Sequence, residues 1–131
     1  MGFDAHNWAR QWSPGSGPAK GDSVAAQYTE DCERWNVSID DRVVGREGNT
    51  AFADGFMGAL PDAVCEVRSV TEQGDRVVVE WTWQGTHAGD LPGWPATGGT
   101  MLLHGCNVIT LVDGLIHREV SYWDKETLLR A

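Results

Sequence analysis

The chain has 131 residues and a formal net charge of −9 at pH 7. This length predicts one domain, residues 1–131, with a core large enough to enclose one small-molecule cavity. The negative charge argues against nucleic acid and anionic membrane surfaces as partners, because both attract clustered Lys and Arg. No apolar segment approaches the length of a membrane span, and the start of the chain does not resemble a signal peptide, so we expect a cytoplasmic protein.

Cysteine and histidine usage bears on metals and redox chemistry. Cys32, Cys65 and Cys106 lie far apart without a CxxC pair, which predicts free thiols rather than a disulfide framework. The four histidines lack zinc-type spacing, and no phosphate-binding or dinucleotide motif is present. We therefore expect a site that uses neither a metal nor another cofactor.

Two short helices are predicted at the start of the chain. Trp8 and Trp12 are four residues apart and share one helical face. The Ser/Pro/Gly segment that follows Trp12 ends this helix. A second helix begins at Asp22 or Ser23, either of which can cap it, and runs through Tyr28.

A strand over residues 32–39 and a third helix over residues 48–61 are predicted next. Alternation along the strand places Arg34 and Asn36 on one side of it. The helix ends at a proline, and its predicted buried face is marked by Phe52, Phe56 and Leu60.

Residues 63–72 and 76–84 form a predicted hairpin around Gly74. In its second strand, alternate residues form an apolar face that consists of Val77, Val79, Trp81 and Trp83. Helices followed by several antiparallel strands predict an α+β fold.

A second hairpin joins residues 101–112 to residues 115–123 through the turn signal Asp113-Gly114. With a two-residue loop, Val108 lies across from Glu119, and Cys106 lies across from Ser121.

A three-residue loop over residues 112–114 gives a different register. Asn107 then faces Glu119, and Gly105 faces Ser121. One face of the hairpin carries a polar row in this register: Asn107, His117, Glu119, Ser121 and Trp123. The residues themselves permit both registers.

The pattern GTHxGxxxGxPATG from Gly85, followed by VDGLI and YWD, resembles the SnoaL-like polyketide cyclase family of the NTF2-like superfamily. The earlier motifs VVGRE and ALPD extend the resemblance back to Val43. It implies an NTF2-like cone, in which a curved, mainly antiparallel sheet wraps around N-terminal helices and encloses a pocket. Such folds pair through the outer sheet face, so we expect a homodimer or homotetramer.

The resemblance also implies a reaction, from which this chain departs. In the family, an Asp on the last strand removes a proton next to an ester carbonyl, and the enolate closes a ring. That Asp falls at Ser121 here, a neighbouring His becomes Asn107, and a nearby Gln becomes Gly105. Because the family brings these positions together, the resemblance favours the three-residue loop.

Serine is not basic at neutral pH, so another base is needed. Glu119 is the predicted base, with Asn107 and Ser121 as donors to a developing oxyanion. Asp124 or His87 is predicted to return a proton. Structural roles remain open for three of them: Glu119 as a solvated carboxylate, Asp124 as the cap of a last helical turn, and His87 as a turn stabiliser.

The sequence contains seven tryptophans, of which two or three are expected to line a ligand. The predicted substrate-binding residues are His87, His117, Trp12, Trp35, Trp81, Trp83 and Trp94. Together with these residues, the resemblance implies a cofactor-independent, cyclase-like enzyme for a hydrophobic, polycyclic carbonyl compound. The alternatives are an NTF2-like hydrolase, isomerase or oxygenase, and a non-catalytic protein that binds an aromatic molecule.

Overall fold

The computed structural model describes residues 3–16, 24, 26–91 and 93–124. Over these ranges the chain forms two helices and six strands: α1 Ala5–Gln11, β1 Tyr28–Asn36, β2 Asp41–Val44, α2 Gly45–Ala59, β3 Val64–Gln73, β4 Arg76–Thr86, β5 Thr100–Val112 and β6 Leu115–Trp123. Short 3₁₀ turns lie at Pro14–Ser16 and Val37–Ile39. Neither helix in this part of the chain is long and apolar enough to cross a membrane.

The six strands form one curved, open sheet in the order β2-β1-β6-β5-β4-β3. Only the pair β1 and β6 is parallel among these neighbours, and the others are antiparallel. Helix α2 contacts β1 and β2, and α1 contacts β3, so the helices cover the inner face of the sheet. The predicted α+β class is confirmed.

The N-terminal part differs from prediction after α1. The side chain of Asp4 caps α1 by accepting a hydrogen bond from the backbone N–H of Asn7 at 2.9 Å. The predicted second helix lies largely outside the described residues. Tyr28, its predicted last residue, instead begins β1, because its side chain is buried against the sheet and pairs with β6.

The 3₁₀ turn after β1 was not predicted. It ends at Asp40, whose φ of +46° reverses the chain into β2. The predicted strand over residues 32–39 is therefore shifted, since β1 ends at Asn36. Helix α2 follows directly, so it begins at Gly45 rather than near Gly48.

The β3–β4 hairpin agrees with its predicted pattern. Alternate residues of β4 are buried on the inner face, from Val77 to Trp83, while Val78 is exposed on the outer face. Burial of these large apolar side chains is worth roughly 1.5–3 kcal/mol for each one. The period-two pattern therefore positions two indole rings above the sheet.

The β5–β6 hairpin has a register that neither prediction anticipated. Val112 pairs with Leu115, so the loop has two residues, and both Asp113 and Gly114 have positive φ. The three-residue loop favoured by the resemblance is therefore wrong. This backbone conformation matches the twist of the strands and explains the Asp-Gly sequence.

A bulge then shifts the register by one residue. Thr110 pairs with Arg118, which leaves His117 unmatched on β6. Beyond the bulge Asn107 pairs with Ser121, and Ile109 pairs with Glu119. The polar face predicted from the sequence forms nevertheless, without His117, because the bulge restores the alternation that the two-residue loop would have reversed.

Candidate active site

A cavity lies between the helices and the inner face of the sheet. It contains about 480 Å³ of empty space, counted to include the part that is open to solvent. The cavity wall has nine apolar or aromatic residues and four polar ones: Trp8, Trp12, Phe52, Phe56, Cys65, Trp81, Trp83, Leu103 and Trp123, with Arg34, Asn36, Asn107 and Ser121.

Aromatic rings from four separate elements meet in this wall. The Phe52 and Phe56 ring centroids are 4.9 Å apart, and Phe56 also approaches Trp83 at 6.0 Å and Trp123 at 6.2 Å. Tilted and edge-on rings at these separations attract one another. The cavity is therefore suited to a flat hydrophobic molecule.

Glu119 lies behind this wall rather than in it. Its side chain is fully buried, and Oε1 accepts a hydrogen bond from Arg34 Nη2 at 2.8 Å and another from the Tyr28 hydroxyl. Oε2 accepts a hydrogen bond from Asn107 Nδ2. Asn107 lines the cavity, so it connects the buried carboxylate with the cavity. The role of Glu119 as a base stays a prediction.

Arg34 is the cation of this network. Nε donates to Asn49 Oδ1 and Nη1 donates to Asn36 Oδ1, each at 3.1 Å. Burial by itself lowers the pKa of Arg34, but the charge of Glu119 and the hydrogen bond to Tyr28 together raise it. The guanidinium therefore remains charged although it is buried.

The guanidinium also stacks against aromatic rings of the cavity wall. The Arg34 Cζ atom lies 4.8 Å from the ring centroid of Trp12 and 5.1 Å from that of Phe52. A cation at this distance is attracted by the negative face of an aromatic ring. These contacts hold Arg34 between the carboxylate and the cavity.

Tyr28 is a neutral hydrogen-bond donor at this position. Burial raises the pKa of its phenol strongly, and the negative charge of Glu119 raises it further. Its hydroxyl accepts from Arg34 Nη2 at 3.1 Å while it donates to the carboxylate. The phenol therefore stays protonated and helps to bind Glu119.

The orientation of the Asn107 amide follows from its neighbours. Oδ1 accepts hydrogen bonds from Trp81 Nε1 at 2.9 Å and from Ser121 Oγ at 2.8 Å. Two donors at one end of the amide define that end as the oxygen. The nitrogen therefore faces Glu119, and Ser121 acts here by holding Asn107.

Trp81 explains why Gly105 stands where the resembled family has a larger residue. A Cβ atom on Gly105 would lie 2.5 Å from Trp81 Cζ2 and 2.6 Å from the backbone oxygen of Tyr122. Such contacts are too short for real atoms, so the indole fills the space of a side chain at this position.

No carboxylate and no imidazole belongs to the cavity wall as formed by the described residues. Its one thiol, Cys65, has a pKa raised to about 12, mainly by burial and further by the charges of Glu119 and Glu66. Cys65 is therefore protonated at neutral pH. In the described ranges, no three His, Cys, Asp or Glu side chains come together to hold a metal ion.

Five of the predicted site residues lie in the cavity wall: Asn107, Ser121, Trp12, Trp81 and Trp83. Among the described residues, the structure does not bring His87, Trp94, Trp35, His117 or Asp124 together with them.

His87 and Trp94 belong to the loop between β4 and β5. His87 is buried, and its backbone N–H donates a hydrogen bond to the backbone oxygen of Gly99. The ring Nδ1 of His87 lies 3.4 Å from Thr97 Oγ1. Trp94 pairs with Leu91 through the backbone. Both residues therefore contact the loop itself in this structure.

The remaining three lie outside the cavity in other ways. Trp35 Nε1 donates a hydrogen bond to Asp40 Oδ1, and the Arg42 Cζ atom lies 4.0 Å from the centroid of the Trp35 ring. His117, at the bulge, has its Nδ1 atom 3.1 Å from Thr29 Oγ1. Asp124 is exposed after β6, and the helical turn predicted to follow it lies outside the described residues.

The sequence reasoning missed several wall residues, of which Arg34 is the most informative. Alternation in β1 indicated that Arg34 and Asn36 share a face, which is correct. It did not indicate that this face is buried, because polar residues usually mark a solvated face. This face is buried because β1 pairs in parallel with β6, which places Arg34 across from Glu119.

The curved, open sheet packed against the helices is an NTF2-like fold, of the kind also described as ketosteroid isomerase-like, and it contains a buried polar network. The model of the SnoaL-like polyketide cyclase family matches residues 8–131, so the chain belongs to this family. No curated protein matches the sequence significantly.

Solved structures confirm the fold. A protein from Jannaschia sp. CCS1, assigned as a SnoaL-like polyketide cyclase, has a TM-score of 0.84 and 21% identity, and the match covers 100% of this chain and 94% of that chain. A hypothetical protein from Catenulispora acidiphila with a ketosteroid isomerase-like fold, solved with trimethylamine, has a TM-score of 0.81 and 14% identity, with 96% and 88% covered. AclR from Streptomyces galilaeus, assigned as a hydroxylase, has a TM-score of 0.78 and 21% identity, with 96% and 90% covered.

Proposed function

We propose that the protein is a cyclase-like enzyme that performs acid/base chemistry on a hydrophobic, polycyclic carbonyl compound, by aldol-type ring closure or a related reaction. One observation carries this proposal. Asn107 lines an aromatic cavity and donates to Glu119, a fully buried carboxylate that is one side chain away from that cavity. Family membership supports the same class of reaction.

In the proposed reaction the substrate's carbonyl oxygen accepts a hydrogen bond from Asn107 Nδ2. The amide turns toward the substrate and releases Glu119 Oε2, which accepts a proton from the carbon next to the carbonyl. The electron pair of the broken C–H bond forms an enolate. The enolate carbon then attacks a ketone and forms the new C–C bond, and the ketone oxygen takes the proton from Glu119.

Asn107 and Ser121 have different roles in stabilising the oxyanion. Asn107 donates to the enolate oxygen after it has turned, and the hydrogen bond from Ser121 Oγ to Oδ1 anchors the oxygen end of the amide while the nitrogen end moves. Donors of this kind contribute roughly 10²–10³-fold to turnover. Asp124 and His87 remain predicted proton donors, but neither is needed here, because Glu119 itself returns the proton.

The proposal is tested by proton exchange rather than by the unidentified natural reaction. Wild-type protein should accelerate exchange of the α-hydrogens of 2-tetralone with deuterated water, as followed by NMR. The Glu119→Gln variant should lose roughly 10²–10⁴-fold of this rate, which is the usual contribution of a general base.

Glu80→Gln is the matched control, because Glu80 is a strand carboxylate on the exposed outer face. It should exchange at the wild-type rate. Near-UV circular dichroism of the tryptophans checks folding, and Asn107→Ala provides a second variant, with an expected loss of about 10²-fold. A wild-type rate in folded Glu119→Gln or Asn107→Ala would contradict the proposal.

A second candidate function is a non-catalytic carrier of an aromatic molecule. The absence of a carboxylate or imidazole from the described cavity wall favours it. This candidate predicts that wild-type protein binds 2-tetralone, quenching tryptophan fluorescence, without accelerating exchange. The same samples therefore separate the two functions.

We also propose that the chain pairs through the outer sheet face to form a homodimer. Apolar side chains are exposed there on four neighbouring strands: Val64, Val78, Leu102 and Tyr122. Sedimentation of wild type and Leu102→Glu tests this expectation, since a charge in the interface should favour the monomer.

A further inference from the structure

Arg34 faces both the buried carboxylate and the cavity. A guanidinium has five N–H donors. Four hydrogen bonds join Arg34 to described residues, which are Asn49, Asn36, Tyr28 and Glu119. Because Nη1 uses one of its two hydrogens on Asn36, its second N–H is the donor left for a molecule in the cavity.

The charges around this donor are balanced. Arg34 carries one positive charge, Glu119 carries one negative charge, and the two form an ion pair at 2.8 Å. Arg34 is the one cationic side chain in the cavity wall that the described residues form. An anionic ligand would therefore add an uncompensated negative charge to a buried site, which is costly.

We infer that the ion pair of Arg34 and Glu119 determines the charge specificity of the site, so that the cavity takes an uncharged aromatic ketone and rejects an aromatic carboxylate of the same size. This inference rests on the proposed function, whose substrate it restricts. Arg34 also becomes the counter-ion of the enolate in the proposed reaction.

The net charge of the site stays constant through that step. When Glu119 accepts the proton, its carboxylate becomes neutral, and the electron pair of the C–H bond leaves a negative charge on the substrate oxygen. Arg34 then pairs with the enolate instead of Glu119. The guanidinium needs no large movement, because it already contacts Glu119 on one side and lines the cavity on the other.

The test compares two ligands that share a naphthalene ring, 2-acetylnaphthalene and 2-naphthoate. Binding is followed by quenching of the tryptophan fluorescence or by calorimetry. Wild-type protein should bind the ketone at least about tenfold more tightly than the carboxylate, a factor that corresponds to about 1.4 kcal/mol. Equal affinity, or tighter binding of the carboxylate, would overturn the inference without any variant.

Two variants assign the preference to the ion pair. Glu119→Gln leaves Arg34 without its anion, so 2-naphthoate should bind at least about tenfold more tightly than it does to wild type. The double variant Arg34→Gln/Glu119→Gln should lose this gain, and it contains no unpaired buried charge if the single variant folds poorly. Unchanged carboxylate affinity in folded Glu119→Gln would contradict the inference.

The outcomes also separate this inference from the proposed function. If the protein exchanges 2-tetralone hydrogens but binds 2-acetylnaphthalene and 2-naphthoate equally, the proposed catalysis is supported and the inferred role of Arg34 is overturned. If the protein prefers the ketone but does not accelerate exchange, the inferred role of Arg34 is supported and the proposed catalysis is overturned. Glu80→Gln should match wild type in both measurements.

Discussion

Two carboxylates of this sheet pair with basic side chains at nearly the same distance but in opposite surroundings. On the inner face, Glu119 lies 2.8 Å from Arg34, and the side chains are 0% and 4% exposed. On the outer face, Glu80 lies 2.9 Å from His104, and the side chains are 46% and 61% exposed. The two pairs differ in access to water rather than in geometry.

The difference teaches which pair affects the fold. Water solvates each member of the outer pair, so separating them changes little. The inner pair has lost that water, and each member depends on the other and on neighbouring donors for its solvation. The inner pair should therefore be sensitive to substitution, and the outer pair should not.

Arg34→Met should have the largest effect. It leaves Glu119 buried without a counter-ion, which costs about 3–5 kcal/mol of the free energy of unfolding. Urea unfolding followed by circular dichroism measures this loss. Arg34→Met/Glu119→Leu should recover part of it, because no unpaired charge remains. A single variant within about 1 kcal/mol of wild type would show that the two faces do not differ as described.

Gly105→Ala should have the next largest effect. The added methyl group meets the indole of Trp81, and such overpacking costs about 1–3 kcal/mol. Gly55→Ala is the matched control. Gly55 lies in α2 with no atom within 4 Å of the added Cβ, so alanine should stabilise the helix by roughly 0.5–1 kcal/mol. Effects of the same sign in both variants would contradict this reading of the inner face.

Ser121→Ala should destabilise the protein by about 1 kcal/mol, because Asn107 Oδ1 loses one of its two buried donors. The free energy of unfolding in urea measures the change. Ser69→Ala removes the corresponding hydroxyl contact to Glu80 on the exposed face and should cost less. An equal loss in both variants would show that burial does not set the value of these bonds.

Glu80→Gln should have the smallest effect, and that effect should depend on pH. Hydrogen bonds from His104 and Ser69 lower the pKa of Glu80 in the folded protein. A lowered pKa contributes stability above the unfolded value, roughly 4.3, and this stability is lost as the pH falls through the folded value. The difference in melting temperature from wild type should therefore be present at pH 7 and should shrink as the pH falls below about 4.3. A difference that grows on acidification would contradict the assignment.

Local patterns in the sequence were sufficient for much of the fold. The alternation in β4 predicted which residues face inward, and Asp113-Gly114 predicted the second hairpin. These features depend on neighbours within a few residues, so they can be read from the chain directly. The family resemblance, rather than the local pattern, placed Asn107 on the face of Glu119 and Ser121, and it did so through the wrong loop.

The bulge at His117 was not predictable in this way. A bulge is set by how β6 fits against both of its neighbours, and the Asp-Gly turn constrains only one end of the hairpin. For the same reason His117 was assigned to the polar row that it leaves.

By itself, then, the sequence determined the α+β class, the two hairpins and the alternation along each strand, because these depend on local periodicity and turn chemistry. Only the tertiary structure decided that Glu119 is buried, that Arg34 is its partner and that Asn107 lies between Glu119 and the cavity. Arg34 and Glu119 meet through the parallel pairing of β1 with β6 across most of the chain. No local pattern encodes a contact over that separation, and the loss of water that gives it its energy exists only in the folded protein.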